Sequence, residues 1–144
     1  MEMDRYSIND LSMITGLTTR TIRNYLNLGV MKGEKIDGNW SFTEEDVEEM
    51  MKNDYVKQAM STKRNAIVYD FMADMKKKDS RMCVILDLAE DDKGSMEVSR
   101  TFCDFINENS NDIRFNMFSE GGNIRVILSG DEKEVLKIMR HYYS

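Results

Sequence analysis

The stretch from Tyr6 to Gly29, YSINDLSMITGLTTRTIRNYLNLG, limits the fold of this chain more than any other. Ser7 followed three residues later by Asp10 makes a capping box, and Ile8, Leu11 and Ile14 then recur at the spacing of one buried helical face. Gly16 ends that helix. Thr18 is placed to cap a second helix whose apolar side is Ile22 and Leu26, joined by Tyr25. Thr19, Arg20, Arg23, Asn24 and Asn27 are left pointing outward, and Gly29 supplies the stop. Two short helices joined by a glycine-containing turn, with arginines and small polar residues on the open face of the second, make the arrangement that enters the major groove of DNA.

The next segment extends that reading. KIDGNWSFTEEDV alternates apolar and polar residues around Asp37-Gly38-Asn39, a turn that tolerates positive φ, and reads as a small hairpin. Thr43 with Asp46 forms a second capping box, behind which Val47, Met50 and Met51 give a third helix one apolar stripe. The outline is a winged helix-turn-helix.

Residues Tyr6 to Val47 resemble the DNA-binding domain of the MerR family of bacterial transcription regulators. GLTTRTIRNYLNLGV is similar to that family's recognition helix, and GNWSFTEEDV to its wing and the helix that follows. Trp40 stands where the family's wing usually carries an arginine, with Phe42 as the aromatic, and the family's proline after the recognition helix is missing, since the chain has no proline. The resemblance implies a dimeric transcription regulator that binds double-stranded DNA. In that role Thr19, Arg20 and Arg23 reach base edges, while Thr18, Tyr25, Lys32 and Lys35 hold phosphates and Trp40 sits in the wing.

Charge pulls the other way. The chain carries 20 basic and 26 acidic residues, net −6, whereas a DNA-binding domain is expected to have a basic footprint. Residues 1–52 are net −4, residues 53–81 net +3 and residues 82–144 net −5. The N-terminal acids cluster at Glu44, Glu45, Asp46, Glu48 and Glu49, away from Arg20, Arg23, Lys32 and Lys35. A second function is therefore open: a protein-interaction adaptor that keeps a winged-helix fold without DNA affinity, with Trp40 as its exposed aromatic anchor.

Residues 54–78 hold no glycine or proline and read as one long helix of about 37 Å at 1.5 Å per residue. Val56, Met60 and Ile67 form one apolar track, and Val68, Phe71, Met72 and Met75 form another. The surplus track suggests a helix that also pairs with a second copy, and Lys76 to Lys78 suit its C-terminal end. Beyond Arg81 the pattern becomes strand and helix in alternation. MCVILDL reads as a strand and Glu90 to Gly94 as an acidic loop. Val98, Phe102, Phe105, Ile106 and Asn109 read as one helical face, with Ser95 as cap. A hairpin with Ile113, Phe115 and Met117 inward turns at Ser119 to Asn123 and returns through Ile124, Val126 and Leu128. A last helix starts near Asp131, with Val135, Leu136, Ile138 and Met139 on its buried side. The order β-α-β-β-α is that of a ferredoxin-like half.

The chemistry-bearing residues do not assemble into an enzyme. Cys83 and Cys103 form no CxxC pair and read as core thiols, and the only histidine is His141, so no metal site is expected. Asp87, Glu90, Asp91 and Asp92 lack EF-hand spacing, and Gly121-Gly122 lacks the context of a phosphate cradle. The expected class is α+β, in three parts: residues 1–53 a winged helix-turn-helix, 54–80 a connecting and dimerising helix, and 81–144 a ferredoxin-like domain that regulates or dimerises. No enzyme activity and no cofactor are expected. The expected partners are double-stranded DNA and a second copy of the chain, with a small-molecule or protein effector at the C-terminal domain left open. No run is apolar enough to span a membrane and no leader pattern opens the chain, which implies a cytoplasmic protein.

Overall fold

A computed structural model describes residues 5–89, 94–109 and 112–144. The chain is mixed α and β, with two small antiparallel three-stranded sheets. It divides into two compact units, Met1–Lys63 and Arg64–Ser144.

The first unit runs β1 (Arg5–Ser7), α1 (Ile8–Thr15), α2 (Thr19–Leu28), β2 (Glu34–Ile36), β3 (Asn39–Thr43), α3 (Glu44–Lys52) and α4 (Asp54–Lys63). Both capping boxes are present. Ser7 Oγ accepts from Asp10 N while Asp10 accepts from Ser7 N, and Thr43 and Asp46 repeat the exchange, each bond 3.0–3.1 Å. Thr18 caps α2 through Thr21 N, and α1 and α2 stop at left-handed Gly16 and Gly29. Tyr6, Leu11, Ile14, Ile22, Phe42, Val47, Met50 and Val56 are buried and make the core. The strand β1 escaped the sequence reading. It adds to β3 with Tyr6 opposite Phe42, which gives the hairpin β2–β3 a third strand.

The expected long helix is two shorter ones. It is interrupted at Arg64-Asn65, and the second piece, α5 (Ala66–Ala73), ends five residues before Lys78. Asn65, a weak helix former, opens α5 without a side-chain cap. The Arg64 guanidinium lies 4.2 Å from the centre of the Phe118 ring and 3.0 Å from Glu120. These long-range contacts outweigh the local preference for continuity. At the other end Lys77 folds back over the Phe71 ring and donates to the Phe71 and Asp74 carbonyls, so the lysine run lies outside any helix. Met72 and Met75, expected on a packed stripe, are exposed.

The second unit continues from α5 with β4 (Arg81–Ala89), α6 (Ser95–Asn109), β5 (Ile113–Glu120), β6 (Asn123–Asp131) and α7 (Glu132–Tyr143). Strand order is β4-β6-β5, both pairings antiparallel, with Leu88 opposite Ile124 and Phe115 opposite Leu128. Phe102 of α6 stacks on Phe115 at 5.5 Å and on Tyr142 of α7 at 5.0 Å. One sheet face, with Phe115, Met117, Val126 and Leu128, is thus closed by α6 and α7. The opposite face of β5 and β6 is covered by α5, where Asp70 pairs with Arg114 at 2.9 Å, and Asn116 and Ile127 are buried. The inward set of the hairpin matches its alternation, but the burial of the alternate set comes from α5. Ser95 is the first residue of α6 rather than its cap, Asn109 is exposed, and Cys83 is only half-buried. Burial pushes the Cys83 thiol above its ordinary pKa. The expected acidic loop at Glu90, Asp91 and Asp92 lies outside the described residues.

No helix of the described residues is long and apolar enough to cross a membrane. No group of three or more His, Cys, Asp or Glu among them is placed to hold a metal ion.

Candidate functional site

The residues expected to touch a partner fall into two groups. Along α2, Thr18, Arg20 and Arg23 are exposed and Thr19 half-exposed, because Ile22 alone of this helix is fully buried and fixes its rotation. Arg23 Nη1 sits 3.4 Å from Thr19 Oγ1, one helical turn back. On the hairpin, Lys35 is directly opposite Trp40, and its ammonium lies 5.4 Å from the indole centre. Trp40 itself is half-buried, stacked on the buried Phe42 ring at 6.4 Å with an 18° tilt. The exposed ring expected at Trp40 is thus partly covered, with Phe42 beside it two residues along the strand. Tyr25 is half-buried in α2 and Lys32 joins neither group. Lys32 lines a cavity of about 320 Å³ with Met31, Asp46, Glu49 and Lys52, so its charge faces mixed company.

The second unit holds a charged cluster that the sequence reading missed. Arg125 grips Asp87 through two bonds, Nε to Oδ1 at 2.6 Å and Nη2 to Oδ2 at 2.8 Å. This fork holds the Asp87 carboxyl below its ordinary pKa. Together with Arg64, Phe118, Glu120 and Asn123 the pair lines an open cavity of about 210 Å³. The signal was available: once the register is known, Asp87 faces Arg125 directly across the ladder. Here each carboxylate is held by a guanidinium, while Arg64 Nε is buried without a hydrogen-bond partner.

Comparison with known proteins bears on what these surfaces meet. No curated protein and no solved structure matches the chain. A family model does, that of the S-100P-binding protein, over residues 24–102. The matched span begins inside α2, takes in the hairpin, α3, α4, α5 and β4, and ends inside α6. It leaves out Thr19, Arg20 and Arg23, the residues on which base reading would depend, and Thr18 with them. The MerR resemblance is thereby overturned. With it go bacterial transcription regulation, double-stranded DNA as the partner, and the homodimer which that role required. The net charge of −4 over residues 1–52 points the same way, because a phosphate backbone is repelled by it. With more than half of its residues matched to that one model, the chain belongs to the S-100P-binding protein family.

Proposed function

We propose that this chain is a protein-interaction module without catalytic activity, and that its partner is the one in its family's name, S-100P, or a protein of that kind. One observation carries the reading most. Of the eight large apolar side chains that stand exposed among the described residues, all but Tyr143 lie within the matched span 24–102. They include Leu28, Tyr55 and Met75, which are 75%, 74% and 85% exposed. Apolar groups left in water over one stretch of chain are what a protein partner covers on binding, and methionines among them adapt to irregular partner surfaces.

In this reading the N-terminal unit is a winged helix-turn-helix used as an adaptor. The succession α1, Gly16 turn, α2, hairpin β2–β3 and α3 supports that fold. The C-terminal unit is read as a ferredoxin-like half, supported by the crossover α6 between β4 and β5 with β6 between them. Trp40, backed by Phe42 and flanked by Lys35 and Ile36, serves as an aromatic anchor on the hairpin.

The test is calorimetric titration of purified S-100P into the full chain, with the fluorescence of Trp40, the only tryptophan, followed in parallel. Saturable binding with a change in Trp40 emission is the expected result. Trp40→Ala should weaken it by roughly tenfold or more, as for a hot-spot aromatic. Absence of binding by the wild-type chain overturns the assignment of partner. Binding that leaves Trp40 emission and the Trp40→Ala variant unaffected overturns the anchor.

A further inference from the structure

The break between α4 and α5 leaves backbone groups that a single helix would pair. α4 ends at Lys63 and α5 begins at Ala66. The carbonyls of residues 61–64 therefore have no donor within α4, and the N–H groups of residues 65–68 have no acceptor within α5. One unbroken helix joins these groups to one another, from 65 to 61 through 68 to 64, at the four-residue spacing. Asn65 offers no side-chain cap in exchange. At φ −110° and ψ 12° it stands about 50° from helical values in each angle.

The phase of the sequence runs straight through the break. Val56 and Ile67 are buried, and Met60 and Phe71 half-buried. Each of these pairs is eleven residues apart, which is three helical turns to within about 20°. Tyr55, Tyr69 and Met72, all exposed, fall within about 100° of one another on the other side by the same count. Two helices with independent registers have no reason to agree in this way. No glycine or proline stands between Asp54 and Lys78 to account for the interruption.

What holds the break lies on the hairpin β5–β6. The Arg64 guanidinium rests on the Phe118 ring at 4.2 Å and reaches Glu120 at 3.0 Å. Arg64 Nε is nevertheless buried without a hydrogen-bond partner. The seated arginine thus leaves a desolvated donor unmet, a cost that the broken form carries along with its unpaired backbone groups.

We propose that Arg64 is a latch. Seated on Phe118 and Glu120, it holds residues 54–73 in two pieces; withdrawn, it lets them close into one helix. Tyr55, Tyr69 and Met72 then form a single apolar stripe, which the break divides. The latch regulates the apolar surface offered to a protein partner, a step that rests on the protein-interaction reading. A partner draws the chain toward the joined form only by as much as it prefers that form.

Variants on the hairpin test this without altering the helix-forming residues themselves. Amide hydrogen exchange is measured on the full chain for the wild type, Phe118→Ala and Glu120→Gln. Both variants should slow exchange at residues 65–68, roughly tenfold or more for Phe118→Ala and less for Glu120→Gln, because withdrawal of Arg64 gives those amides their acceptors. A variant that merely loosens the fold speeds exchange instead, and unchanged protection in β6 shows that the sheet is intact. If Phe118→Ala loses β6 protection, Glu120→Gln, at an exposed side chain, decides alone. Unchanged or faster exchange at residues 65–68 in the deciding variant overturns the latch. Purified S-100P is titrated into the same chains, and binding at least about threefold tighter by the deciding variant is expected. Equal or weaker binding by that variant removes the regulatory step. No binding of S-100P by any of the chains overturns the assignment of partner and leaves the latch to the exchange result.

Discussion

The hairpins β2–β3 and β5–β6 are closed by turns of one kind, with φ of 53° and 84° at Asp37 and Gly38, and 61° and 83° at Gly121 and Gly122. Beyond the turn they diverge. Every residue of β2 is exposed, whereas β6 is buried from Val126 through Gly130. The turn sets register in both, through the backbone twist that suits a tight antiparallel pair. What covers the strands decides how much each hairpin stabilises and what it leaves free to meet a partner. β6 is central, with α7 on one face and α5 on the other. β2 is an edge strand that holds Lys35 beside Trp40 and Glu34 beside Arg5.

Trimming one isoleucine from each hairpin should separate the two most sharply. Ile127→Ala in β6 empties a site that is fully buried under α5 and should cost about 2–5 kcal/mol. Ile36→Ala in β2, 43% exposed, should stay within about 0.5 kcal/mol. Because the chain has two units, amide exchange read separately for β6 and β3 is the measurement, rather than one global melt. A cost at Ile36 equal to that at Ile127 would break the contrast.

Next in size is the close approach at Gly130. A Cβ there would collide with the backbone carbonyl of Asp112, which has no side-chain freedom with which to retreat. Gly130→Ala should destabilise the second unit by about 1–3 kcal/mol, visible as loss of protection in β6 with β3 unaffected. The turns themselves should then behave alike. Gly38→Ala and Gly122→Ala each place a Cβ in a left-handed conformation with open space around it, and each should cost about 1–2 kcal/mol. A clear inequality would show that the covering of the strands reaches into the turn.

The same division explains what could be read from the chain. Signals confined to a few residues came through: the boxes Ser7/Asp10 and Thr43/Asp46, the stops at Gly16 and Gly29, and the inward sets Phe115/Met117 and Val126/Leu128 are all physical exchanges between near neighbours. Contacts between distant residues did not. The pairing of Tyr6 with Phe42, the stacking of Arg64 on Phe118 that accompanies the broken helix, and the covering of Ile127 by α5 carry no local mark. For the candidate site, exposure of Arg20, Arg23 and Lys35 was legible and their partner was not, since arginines on an open helix face suit a phosphate or a carboxylate equally. Trp40 was legible as an aromatic out of place in a wing; its support by Phe42 was not.

The smallest effect concerns the ion pairs that tie each sheet together at its surface. In the first sheet Arg5 reaches Glu34 through Nη2 at 3.1 Å, while in the second Arg125 holds Asp87 by a two-bond fork. The fork lowers the Asp87 pKa in the folded chain below its unfolded value, near 3.8. Protonation therefore opposes folding: the contribution of this pair is fully present above the ordinary carboxylate range and disappears as pH falls through the depressed value. Asp87→Asn should flatten that part of the acid dependence of β4 and β6 protection and leave stability at neutral pH nearly unchanged, since both groups stand in solvent. Titration of the Asp87 carboxyl carbon by NMR should show its midpoint below that of exposed aspartates in the same spectrum. A midpoint at or above theirs would mean that Arg125 does not hold Asp87 in solution, and the better-tied surface of the second sheet would lose its distinction from the first.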